Sequence, residues 1–173
     1  MSTKHLSKEF TSYGKILLFS TSSMTRLLEI YNDEEIKVEI IQQTDNYILP
    51  SILTPFVNDT KNTILREAYL YTRESLKTCL HAFSLLFVNN IEDCIQEELI
   101  QGEIPIGKII EKYKLETYRE ILTISNLEHN NDSFLGIGEN IIYKVSEIRY
   151  KMKPLFLVAE LFREKDLVCF QSI

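Results

Sequence analysis

The chain has no tryptophan and only three cysteines, four prolines, five glycines and three alanines among its 173 residues. Each shortage excludes something. So few prolines and glycines argue against a collagen-like, low-complexity or linker-rich chain, and no internal repeat divides the sequence. Cys79, Cys94 and Cys169 are odd in number and far apart, and no CxxC occurs. They read as reduced thiols in an intracellular setting, two of them core fillers. No His, Cys and carboxylate set has metal-ligand spacing, so no metal is expected. Lys and Arg number 19 against 25 Asp and Glu, a net charge of −6, which lacks the basic field a nucleic-acid surface needs. An anionic small molecule is still compatible, because one buried Arg can bind a carboxylate inside an acidic protein. No apolar run reaches the roughly 18–20 residues of a membrane span. Met1 to Tyr13 is polar and has no apolar signal core, so nothing suggests secretion. Gly136-Ile137-Gly138 lacks the third glycine and preceding strand of a dinucleotide fingerprint, and there is no GxSxG or Walker sequence.

What is present is 45% hydrophobic and 25% charged residues, an ordinary soluble composition with enough material for one core, read as a single domain over 1–173. The chain holds 22 Ile and 10 Asn beside its 3 Ala. That skew looks like translation of an AT-rich genome, as plastid, some bacterial and some protist genomes are.

Thr21-Ser22-Ser23 supplies N-caps for a short helix from Met24 to Tyr31, with Arg26 and Glu29 outward. Ile36, Val38 and Ile40 alternate with Lys37 and Glu39, a half-buried strand. Residues 44–62, with Pro50 and Pro55, form a long irregular segment, a flap-like loop of the kind that carries function. Strands follow over Ile64–Tyr71 and Thr78–Phe87. Asn89 and Asn90 cap a helix from Ile91 to Ile100, with Ile91, Cys94, Ile95 and Leu99 on one face and Gly102 at its stop. Pro105 opens another helix. Tyr118–Asn126 reads as a strand, Glu128–Asp132 as a polar turn, and Ile141–Tyr150 with Leu155–Phe162 as a hairpin closed at Lys151-Met152-Lys153. Five or six strands in meander order with inserted helices predict an α+β domain on a single antiparallel sheet.

Two charges stand where charges rarely do. Arg66 alternates with Ala68 and Leu70, and Glu160 with Phe156, Val158 and Phe162, so each lies on an apolar strand face. A charge there needs a partner or a ligand. The two could pair with each other, and in an empty site such a pair could still consist of ligand residues. A buried Glu tends to hold its proton and suits proton transfer or binding of a hydroxyl. Ile104-Pro105-Ile106-Gly107 and Met24 begin helices, whose free N–H groups attract anions. His81, among Cys79, Phe83 and Leu85, reads as a packed core histidine, and His5 and His129 sit in polar surroundings.

The ordered set Ser23-Met24-Thr25 with Leu28-Glu29, Leu65-Arg66-Glu67, Pro105-Ile106-Gly107 and Glu160-Leu161-Phe162 resembles the chorismate pyruvate-lyase family. It is most similar to the divergent branch encoded in plastids of red and related algae and in cyanobacteria, and the resemblance runs from about Ile16 to Phe162. It implies a chorismate lyase-like fold and the cofactor-free conversion of chorismate to 4-hydroxybenzoate and pyruvate, with Glu160 catalytic. It also implies substrate-binding roles for Arg66 and Glu160 and for the backbone at Met24 and Ile106, and a plastid location. The partner implied is a small aromatic or enolpyruvyl carboxylate, with no nucleic acid and no membrane span. Arg66 would hold the ring carboxylate through a two-pronged contact, and the 44–62 loop would exclude water. The strand that often carries another Arg has Phe83 instead, so this reading finds no second basic group for the dianion. The alternative is a non-catalytic binding module for a small aromatic carboxylate on the same fold.

Overall fold

The computed structural model describes residues 2–3, 9–127 and 138–169. The settings of His5 and His129, the Glu128–Asp132 turn and Gly136 lie outside the described residues. Among the described residues seven strands make one sheet in the order β1-β5-β6-β7-β4-β3-β2. They are β1 (Ser2–Thr3), β2 (Ile36–Thr44), β3 (Thr63–Thr72), β4 (Thr78–Phe87), β5 (Thr117–Leu127), β6 (Ile141–Tyr150) and β7 (Lys153–Arg163). Strands β2 to β7 pair antiparallel throughout, and the two residues of β1 join β5 in parallel. The expected α+β architecture on one antiparallel sheet of six principal strands is therefore what forms.

Helices α1 (Ser12–Phe19), α2 (Met24–Asn32), α3 (Asp93–Gln101) and α4 (Ile106–Lys112) accompany the sheet, with a last turn α5 (Glu164–Leu167). Thr11 caps α1 and Ser23 caps α2 through their hydroxyls. Leu17, Leu18, Met24 and Leu28 pack on Ile36, Leu70, Leu80, Ala82 and Phe162, while Ile95, Leu99 and Ile109 pack on Phe156, Val158 and Ile148. All these strand residues share one sheet face, because cross-strand partners point the same way. Two hydrophobic clusters thus sit side by side under the helices, and the polar site lies between them.

The opposite face is covered differently from the sequence expectation. Leu53 is fully buried against Leu65, Leu85, Val145 and Leu157, and Tyr47, Leu49, Ile52, Phe56 and Val57 pack beside it. The irregular 44–62 segment therefore closes the back of the sheet and is no flap over the site. Its apolar side chains, one every few residues, supply that face with the cover that no α-helix among the described residues gives it.

Other local readings are corrected too. Asn89 and Asn90 form a 3-10 turn, Asn90 Nδ2 donates to the Pro154 carbonyl at 2.8 Å, and the cap of α3 is Glu92. Pro105 takes the cap position of α4 and does not enter its first turn. Cys94 and Cys169 are exposed, while Cys79 is half-buried and packs against the core, so one cysteine and not two helps fill it. Cys94 falls off the apolar stripe that Ile91, Ile95 and Leu99 complete without it. His81 is a packed histidine as expected, buried on the back face between Tyr69 and Phe83, with Nε2 3.0 Å from Glu67 Oε1.

The β6–β7 hairpin turns through Lys151 and Met152 alone, both left-handed at φ 49° and 66°. Such turns favour Asn-Gly, since side chains resist that backbone region. Met152 is exposed. Met152→Gly should therefore raise stability by about 1 kcal/mol, read as a higher urea midpoint with an unchanged m-value. A lower midpoint would contradict the turn geometry.

Candidate functional site

Strand register fixes where the charged groups meet. Arg66 on β3 stands beside Ser84 on β4, which stands beside Val158 on β7; Ala68, Ala82 and Glu160 form the next row. Arg66 and Glu160 therefore share a face, as expected, but β4 separates their strands, so they are not neighbours. Between them the floor is Ala68, Ala82 and Ser84. Two of the three alanines in this alanine-poor chain sit here, where larger side chains would fill the space.

Arg66, Glu160, Met24 and Ile106, the four residues singled out in the sequence, line one partly open cavity. Apolar walls come from Val38, Leu70, Leu80, Ile148 and Val158. The starts of α2 and α4 meet at its rim: a Cβ on Gly107 would lie 2.6 Å from Ser23 Oγ and 3.0 Å from Thr25 Oγ1. Lys108, bonded to Glu29 at 2.8 Å, ties the two helices together.

Arg66 is 2% exposed. Its Nη2 donates to the Ile104 carbonyl at 3.0 Å and, at the limit of hydrogen bonding, to Gly102 at 3.5 Å, while Nη1 is buried with no partner. Burial pulls the guanidinium down to about 10, still charged at neutral pH. Arg66 thus spends one nitrogen on the 102–104 backbone and leaves the other without a hydrogen bond.

Glu160 does not pair with Arg66. Directly opposite it on β6 stands Lys144, fully buried, whose Nζ lies 3.0 Å from Oε2 and donates to the Leu17 carbonyl at 2.8 Å. The Lys144 contact is a charge contact whose angle leaves Oε2 without a well-formed hydrogen bond. Desolvation pushes the Lys144 ammonium down, against the opposing pull of Glu160. Arg119 on β5 places Nη1 3.6 Å from Oε1, too long for a hydrogen bond, and lines the same cavity. Glu160 therefore faces Lys144 and Arg119, and not Arg66, the partner the sequence offered.

Arg119 and Lys144 are the residues that sequence reading missed. Lys144 was detectable, since Ile142, Lys144, Ser146 and Ile148 repeat the pattern that exposed Arg66. Arg119 was not, because a β-bulge between Ile121 and Thr123 breaks the alternation of β5. Among the described residues no group of three or more His, Cys, Asp or Glu could hold a metal ion, and no helix is long and apolar enough to cross a membrane.

The model of the Rv2949c-like chorismate pyruvate-lyases matches residues 18–169, most of the chain. The protein belongs to that family. Among its relatives, "Putative lyase MJ0807" of Methanocaldococcus jannaschii is 33% identical over 156 residues, 86% of this chain and 76% of that one. The chorismate pyruvate-lyase of Mycobacterium leprae is 30% identical over 108 residues, 61% of this chain and 50% of that one. The aligned part thus covers about half of the mycobacterial relative. Among solved structures, the effector domain of PhnF from Mycobacterium smegmatis matches with a TM-score of 0.61 at 11% identity, covering 90% of this chain and 96% of that domain. This last likeness is one of fold.

Proposed function

We propose that this family member is a chorismate pyruvate-lyase of the plastid and cyanobacterial branch. In this reading residues 1–173 form one domain that converts chorismate to 4-hydroxybenzoate and pyruvate without a cofactor in the plastid stroma. The observation that carries the reading is the meeting of Arg66, Glu160, Met24 and Ile106 around one cavity. Arg66, through its unpaired Nη1, holds the ring carboxylate. The backbone at Met24 and Ile106 borders the ring, and the apolar walls keep water from it. Glu160 stands at the ring hydroxyl.

In the reaction the ether C–O bond breaks, and the ring loses the hydrogen on its hydroxyl-bearing carbon as a proton. The electrons left behind aromatise the ring. The departing enolpyruvate takes up a proton and becomes pyruvate, so protons balance. Glu160, a carboxylate supported by Lys144, accepts the ring proton or hydrogen-bonds the forming phenol. Fixing the substrate against Arg66 supplies the orientation.

Pyruvate release from chorismate by the purified protein tests the reading, and absence of release under conditions where the protein is folded overturns it. The second reading, a binding module for a small aromatic carboxylate, draws on one observation. Glu160 sits in an ion cluster that suits recognition as well as proton transfer. Tight binding of 4-hydroxybenzoate without turnover of chorismate would favour it.

A further inference from the structure

Charge within the cavity is unbalanced. Arg66 and Arg119 line the cavity beside a single carboxylate, Glu160, and Lys144 backs that carboxylate from outside the lining at 3.0 Å, so three cations stand against one anion in a chain of net charge −6. Buried charge of one sign is costly without a counter-charge. Glu160 already has Lys144 at 3.0 Å, while Arg119 stays at 3.6 Å, a charge contact that leaves its buried Nη1 without a hydrogen bond. The Arg119 side chain is 10% exposed, so bulk water does little to satisfy it. Arg66 presents the same signature, an unpartnered buried Nη1, from β3. Strands β5 and β3 are four spacings apart in the sheet, roughly 19 Å along it. The two open guanidinium nitrogens therefore belong to side chains that enter one cavity from opposite sides.

We propose that Arg119 is a second carboxylate site, so that the cavity selects a dianion with one carboxylate on Arg66 and the other on Arg119. This rests on the chorismate reading and deepens it, because it assigns the enolpyruvyl carboxylate to a residue of β5. The absent Arg at Phe83 is then no deficit: Phe83 faces the back of the sheet with Leu85 and Ala159, and β5 supplies the basic group instead. Arg119 would set specificity and position the leaving group, with the proton chemistry remaining at Glu160.

The test compares two unreactive probes by titration calorimetry. One is 4-(carboxymethoxy)benzoate, a dicarboxylate whose ether cannot release pyruvate, and the other is 4-hydroxybenzoate, a monocarboxylate. The wild type should bind the dicarboxylate more tightly. Arg119→Gln should weaken it about tenfold to a hundredfold, the loss of one charge-assisted contact, with 4-hydroxybenzoate changed less than twofold. Arg119→Lys should recover part of the loss. A purely structural role for Arg119 would weaken both probes alike, and that result overturns the proposal, as does a wild type with no preference or no binding. A wild type that shows the preference, loses it in Arg119→Gln, yet releases no pyruvate from chorismate would leave the dianion site standing and remove the lyase reading alone.

Discussion

Arg66→Ala is expected to weaken 4-hydroxybenzoate binding at least about 30-fold, because truncating one partner of a buried charged contact costs about 2 kcal/mol or more. Arg66 is the deepest open cation in the cavity, and its geometry is set from outside the ligand by the Ile104 and Gly102 carbonyls. Arg66→Lys should fall between the two. An ammonium can meet the carboxylate or the Ile104 carbonyl, but it cannot span both as the planar fork does. Calorimetric titration of the three proteins checks this. Equal affinity in wild type and Arg66→Ala would remove Arg66 from the site.

Glu160→Gln carries the second large effect and should show it in two separable ways. Turnover of chorismate should fall about 10²–10⁴-fold, the usual contribution of a positioned proton-transfer group. 4-Hydroxybenzoate binding should be largely kept, since the amide still hydrogen-bonds. Stability should also drop, by about 3–5 kcal/mol, because Lys144 loses the carboxylate that compensates its burial. That second loss has a pH signature. Desolvation already holds the folded Lys144 below its usual 10.5, and without Glu160 it goes lower. Between the folded value and 10.5 the unfolded chain binds more protons, so stability rises with pH. The penalty should be full at low pH and fade as pH climbs toward 10.5. The double variant Lys144→Met/Glu160→Gln should recover stability without recovering turnover. A Glu160→Gln enzyme with wild-type kcat would end the catalytic role of Glu160.

How much of this was readable in the residues varies by element. Period-two patterns in β2, β3, β4 and β7 were strong enough to place Arg66 and Glu160 on a core face, and the same rule would have found Lys144. Arg119 escaped because the bulge in β5 shifts the alternation within two residues of it. Residues 44–62 were recognisable as irregular, but nothing local says which sheet face such a segment covers. That depends on Leu65, Leu85 and Leu157 having no α-helix among the described residues to pack against, a tertiary fact. The interposition of β4 between the two site strands is of the same kind, since sheet order is decided by long-range pairing and not by any segment alone.

Strand order also constrains how the molecule is made. β7 is almost the last element in the chain, yet it lies in the middle of the sheet, between β6 and β4. Without residues 153–163, β2–β4 and β5–β6 would be two ribbons with no strand pairing between them and with open hydrogen-bonding edges. Closing them joins contacts far apart in sequence, a slow kind of step that exposes apolar edges to aggregation while it is pending. Insertion of β7 brings Glu160 opposite Lys144 in the same event that joins the ribbons, so assembly of the ion cluster and completion of the fold are one transition.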